Sequence, residues 1–218
     1  MLAHTQVQGS EKVFDQPRPR WEKLARFVTH ITAPPVLAIP GFFLLGSIAQ
    51  ARHPIPEGIS GLLITALLFG VLGPILLVAI LRLFNLIGDI HIRRQNQRTL
   101  PFLLCIASFA AGALVMWSLF GWHVLTALLA CYAMNTLFVM LINFKWKISV
   151  HATGLGGPIA AFCLVISWTV LPVMLALLAL VCWARVYLRA HSIGQVLAGS
   201  CLGFALTWLF FRFLQVPV

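Results

Sequence analysis

Acidic residues are scarce in this chain: Asp and Glu together number five, against fifteen Lys and Arg. The five are Glu11, Asp15, Glu22, Glu57 and Asp89, spread so widely that a multi-carboxylate metal site is hard to build. Charge of either sign is sparse, at 9% of 218 residues, while 61% are hydrophobic. That balance excludes a soluble globular domain and describes an integral membrane protein. Cysteines 105, 131, 163, 182 and 201 are odd in number and contain no C-x-x-C pair, so neither a disulfide framework nor a zinc site is indicated. Core packing is the expected role of all five. Also lacking is a short apolar core with a small-residue cleavage site near the start, so residues 1–26 read as a retained basic tail.

What the chain has instead is long apolar runs. A spanning helix needs about 20 mainly apolar residues, and such runs fill nearly everything from 27 to 218, read as a single transmembrane helical domain. The first covers roughly 27–48. Its Pro34, Pro35 and Pro40 should kink or break it, so that it begins as a surface helix before it dives. Further spans follow at 59–87, 101–120, about 124–144, to about 168, about 173–186 and 192–213. The last carries Gly199-x-x-x-Gly203, a small-residue face for close helix contact.

Polar islands at 88–100, 145–151 and 185–195 follow the second, fourth and sixth of these spans. Counting crossings puts all three on one membrane face, with the amino-terminal tail. That face also carries most of the Lys and Arg, which by the positive-inside rule makes it cytoplasmic. The excess of positive charge suits anionic lipid headgroups or a phosphorylated substrate. Nucleic acid is excluded as a partner because the basic residues flank spans rather than lining a soluble face.

The islands hold the parts of a phosphate site. Cleaving a phosphate ester through an enzyme nucleophile requires a group to attack phosphorus, an acid for the leaving oxygen, and cations around the equatorial oxygens. Neutral histidine can attack, protonated histidine can donate, and arginine forks match phosphate geometry. No cofactor or metal is needed for that chemistry.

Three spacings carry a resemblance. Arg185-x5-His191-x3-Gln195 resembles the third signature of the type 2 phosphatidic acid phosphatase (PAP2) superfamily, S-R-x5-H-x3-D; Ser149-Val150-His151 resembles the end of the second, P-S-G-H; His91-x6-Arg98, followed by Pro101, is similar to the first, K-x6-R-P. The resemblance implies an all-α membrane bundle of about six to seven spans. It implies His191 as a nucleophile forming a phosphohistidine and His151 as the general acid. Arg185, Arg98 and Ser149 would hold phosphoryl oxygens, with Arg94 or Lys147 standing in for the family lysine, whose place His91 takes. Gln195 stands where the family has an aspartate; an amide orients the imidazole but stabilises imidazolium less well. Val150, Ala184 and Ile148 replace the family's glycine, serine and proline.

The implied substrate is a lipid phosphomonoester or polyprenyl diphosphate, with membrane lipids as surroundings and the site on the cytoplasmic side of a bacterial inner membrane. The spacings leave the choice of lipid and the oligomeric state open. Two other readings use the same residues. A lipid-phosphate binding or transport protein on this fold would keep the pocket without hydrolysis. A UbiA-type prenyltransferase is echoed by Asn85-x3-Asp89, yet Arg93 occupies the place of the next acid and no second aspartate-rich island exists.

Overall fold

In the computed structural model, which describes residues 20–56, 58–87 and 95–217, the prolines divide the first apolar run in two. Helix α1, Glu22–Ile31, ends at Thr32, and Pro34 and Pro35 open α2, Pro34–Arg52, in the first turn, where a missing N–H costs no hydrogen bond. Helix α2 then continues through Pro40. The expected surface segment is therefore a separate helix that starts before residue 26. On α1, Ala25 and Val28 are buried, whereas Leu24, Phe27 and Ile31 stay 44%, 59% and 44% exposed beside Lys23 and Arg26. Exposed apolar side chains beside basic ones are the pattern expected of an interfacial helix.

The next crossing, Ile59–Leu83, is one long apolar rod with a defect. Helix α3, Ile59–Leu67, passes through a π-turn, Leu68–Leu72, into α4, Gly73–Leu83. Pro74 has no N–H to close the wide turn, and the carbonyl of Phe69 instead accepts the Ser108 hydroxyl at 2.8 Å. The rod stops short of the expected residue 87. Asn85 takes a left-handed φ of 56°, and the Leu86 and Asn85 amides bond back to the carbonyls of Leu81 and Arg82.

Helices α5, Thr99–Phe120, and α6, Val124–Asn143, form a tight hairpin across Gly121, whose φ of 75° suits glycine. His123, expected to be merely interfacial, caps α6 by accepting the Leu125 amide at 3.4 Å and is buried. Helix α7, Val150–Val165, is the central element. It has 16 residues, shorter than its neighbours, and its last carbonyl accepts a hydrogen bond from Arg52. After a 3-10 turn at Trp168–Val170 come α8, Leu171–Tyr187, and α9, Ile193–Phe213. No strand occurs among the described residues. Among the described residues, six helical stretches are long and apolar enough to cross a membrane, and the shorter α7 is packed among them, which makes this an integral membrane protein.

Helices α7 and α9 meet backbone to backbone. A Cβ at Gly199 would sit 2.8 Å from the Ser149 carbonyl, and one at Gly203 would strike the Thr153 carbonyl. From the other side, a Cβ at Gly156 would strike the Ser200 carbonyl. The glycine face read from the sequence thus docks against a matching glycine on α7, the geometry that small residues permit in membranes. Asn135 on α6 adds a polar tie by donating to the Thr207 hydroxyl of α9 at 2.9 Å, with both residues buried. Of the cysteines, Cys131 and Cys163 are buried as expected. Cys201 is exposed on α9, since α9 turns its glycine side, not Cys201, toward α7.

Candidate anion site at the starts of three helices

Crossing parity makes α5, α7 and α9 begin on the same membrane face, so three helix amino termini, each with unsatisfied N–H groups and positive dipole ends, share it. Their capping positions are occupied by Arg98, Ser149 and Ser192. Glycine-mediated contact between α7 and α9 holds two of those termini together. The Ser149 amide donates to the Gln195 carbonyl at 3.3 Å, joining the second island to the third.

The turn that carries His191 is set by the end of α8. Arg189 adopts a left-handed φ of 53°; the Ala190 amide bonds the Arg185 carbonyl at 3.0 Å and the Arg189 amide bonds that of Val186 at 2.9 Å. This closes α8 with a non-glycine residue in the position that glycine usually takes. The His191 amide also reaches the Arg185 carbonyl, at 3.3 Å, so the imidazole turns inward and is 7% exposed.

His191 Nδ1 lies 3.2 Å from the Lys147 carbonyl oxygen and 3.2 Å from Gln195 Oε1. The identity of that amide oxygen is assigned by the Ser192 backbone N–H, which donates to it at 3.1 Å, half of a capping box completed by the Ser192 hydroxyl and the Gln195 amide. Both partners of Nδ1 are acceptors, so Nδ1 carries the proton and Nε2 the lone pair. Burial, then the charges of Arg185, Arg98 and Lys147, push the imidazole down to about 3, with Gln195 acting the other way. The ring is neutral at neutral pH and is surrounded by three cations.

Arg185 and Arg98 are themselves buried, at 8% and 5% exposure. Arg98 donates to Asn143 Oδ1 at 3.5 Å, and Asn143 and Gln95 clasp each other through their amides, at 3.1 Å and 2.5 Å to backbone carbonyls. Sequence reasoning assigned no role to Asn143 or Gln95. The available signal was an amide in the last turn of an apolar span, just before the basic run at 145–147. Replacing Asn143 with alanine should release Arg98 and the loop that carries it. KM for a phosphorylated substrate should rise about tenfold, the equivalent of one charge-assisted hydrogen bond, with a smaller change in kcat; steady-state kinetics on the purified variant checks this.

The structure therefore brings His191, Gln195, Lys147, Ser149, Arg185 and Arg98 into one neighbourhood. His151 occupies the first turn of α7, two residues past Ser149, and is half-buried. His91 and Arg94 lie outside the described residues. No cluster of three His, Cys, Asp or Glu side chains able to hold a metal ion occurs among the described residues.

Residues 123–217 match the family model of the PAP2 superfamily. The match takes in α6 to α9 with the second and third islands, and leaves Arg98 and the first island outside it. No curated protein and no solved structure matches the chain. This carboxy-terminal segment is thus similar to the PAP2 superfamily, a family of all-helical membrane proteins, over somewhat less than half of the chain.

Proposed function

We propose that this protein is a metal-independent phosphatase that removes a terminal phosphate from a lipid phosphomonoester or polyprenyl diphosphate at the membrane surface. The similarity of residues 123–217 to the PAP2 superfamily supports phosphatase-type chemistry. The observation that carries the finer reading is the His191 tautomer: Nδ1 is held by two carbonyl oxygens, leaving a neutral, nucleophilic Nε2 among Arg185, Arg98 and Lys147.

In this reading the substrate phosphate enters between the three cations, whose charges it offsets, and meets the amino termini of α7 and α9. Nε2 attacks phosphorus; the P–N bond forms as the ester P–O bond breaks, and His151 gives its proton to the departing lipid oxygen. Water, deprotonated by His151, then attacks phosphorus and breaks the P–N bond. Inorganic phosphate leaves and His191 is again neutral. Ser149 holds a phosphoryl oxygen, and the departed lipid stays in the bilayer. The Lys- and Arg-rich face supports a cytoplasmic site.

Gln195 separates this chain from the family pattern. Its Oε1 orients the imidazole, but it carries no charge to support the phosphoimidazolium. Gln195→Asp would put a carboxylate on Nδ1 and stabilise the protonated ring, raising the His191 pKa. The acid limb of kcat/KM, which the buried neutral ring holds well below the usual histidine range, should move to higher pH in this variant, while turnover near neutrality is kept or increased. A pH profile that does not move would show that position 195 does not govern the nucleophile.

The test of the whole reading is phosphate release by purified protein in detergent with chelator present, from a panel of lipid monophosphates and prenyl diphosphates. Release that persists with chelator supports it. Tight binding of lipid phosphate without cleavage would instead favour the non-hydrolytic reading.

A further inference from the structure

Helices α8 and α9 are held together very differently from α7 and α9. Helix α9 presses its glycine face on α7, and α8 leans outward against α1, so a groove of about 440 Å³ opens between them toward the lipid. Its walls are apolar: Trp183, Val186 and Tyr187 from the last turns of α8, Val196 and Leu197 from the first turns of α9. The cation in its lining is Arg189, on the turn that ends at His191.

We propose that this groove takes the hydrocarbon chain of the substrate lipid, one chain at a time, while the phosphate lies at His191 and Arg189 marks the headgroup end. The position of the head group rests on the phosphatase reading above. Three features support the assignment. First, groove and anion site share their backbone: the last turn of α8 supplies buried Arg185 on one side and Val186 on the other, and the turn after it supplies His191 inward and Arg189 to the groove. Second, apolar walls with a guanidinium at the polar end match an anionic amphiphile and suit neither a free sugar phosphate nor a neutral lipid. Third, one wall is braced from behind. Trp183 and Tyr187 pack ring to ring, with centroids 5.4 Å apart, and the Tyr187 hydroxyl accepts the Trp21 amide at 3.1 Å. Ala25 and Val28 of α1 pack with Ala184 on the same stretch of α8. The interfacial helix thus stiffens the groove and keeps its volume near the low end of the range for ligand pockets, which fits one chain.

The test uses the wild-type protein in neutral detergent and a long-chain alkyl phosphonate with a terminal diazirine, whose C–P bond the enzyme cannot hydrolyse. Photolysis should place the label in peptides spanning 182–197, unlabelled phosphonate should compete it away, and an alkanol diazirine of equal length should not concentrate there. Leu197→Trp, or Val186→Trp if the first misfolds, should cut this labelling by about fivefold or more and lower the ratio of kcat/KM on long-chain over short-chain phosphates. Each two methylenes excluded from the groove should change that ratio by about tenfold. Label spread evenly over the lipid-facing helices, equal labelling by the alkanol, or an unchanged chain-length ratio would overturn the proposal. Phosphate release from a short-chain ester, measured separately, reports on the phosphatase reading alone, so the two can fail independently.

Discussion

Replacing His191 with alanine is expected to reduce phosphate release to background, a loss of about 10⁴-fold or more, because in the proposed mechanism His191 is the covalent nucleophile, and its loss removes the first bond-forming step rather than weakening it. The variant should still fold. His191 is held by hydrogen bonds to Gln195 and to the Lys147 carbonyl, but Ser192 and Gln195 keep their reciprocal capping bonds without it, so α9 retains its start. The capped helix should therefore elute as the wild-type protein does and retain its helical signal while losing turnover. A fully active alanine variant would overturn the phosphohistidine mechanism. Trapping a phosphorylated species on His191 of the wild-type protein after an acid-free quench would support it directly.

The second large effect is structural. Gly203→Leu should destabilise the protein by about 4 kcal/mol or more, since any Cβ at 203 meets the Thr153 carbonyl of α7, and two packed backbones have no flexible neighbour that can move aside. Activity should fall with it, because the α7–α9 contact is what sets Ser149 against Gln195 and hence His191 against Lys147. Gly41→Ala on α2 is the contrast: nothing lies within 4 Å of its Cβ, and a helical glycine replaced by alanine should stabilise by about 0.5–1 kcal/mol. Thermal unfolding of both variants in the same detergent measures the difference. A Gly203→Leu protein as stable as wild type would mean that α7 and α9 are not in backbone contact.

Most of the bundle was legible because each apolar run is about as long as a bilayer is thick and the islands between them are polar. The boundaries moved where local chemistry intervened. Pro34 opened a helix instead of merely bending one, Asn85 stopped α4 early, and Pro74 was absorbed in a π-turn because Ser108 was across from it. Gly199 and Gly203 announced a close contact, but not that its partners would be Ser149, Thr153 and Gly156 on α7. The first island was the least informative stretch. Arg98 proved to be buried and tied to Asn143, a contact between residues 45 positions apart that no local pattern encodes.

By itself, then, the sequence determined the class of protein, the approximate crossings, and the His191–Gln195 spacing, since all of these follow from hydrophobic length and from offsets within one turn of helix. Only the tertiary structure decided which acceptors hold Nδ1, that Lys147 contributes through its carbonyl, that three buried or half-buried cations surround a neutral imidazole, and that α8 leans far enough from α9 to leave a groove. Those are properties of distance between elements remote in the chain, fixed by where small residues let backbones meet and large ones keep them apart.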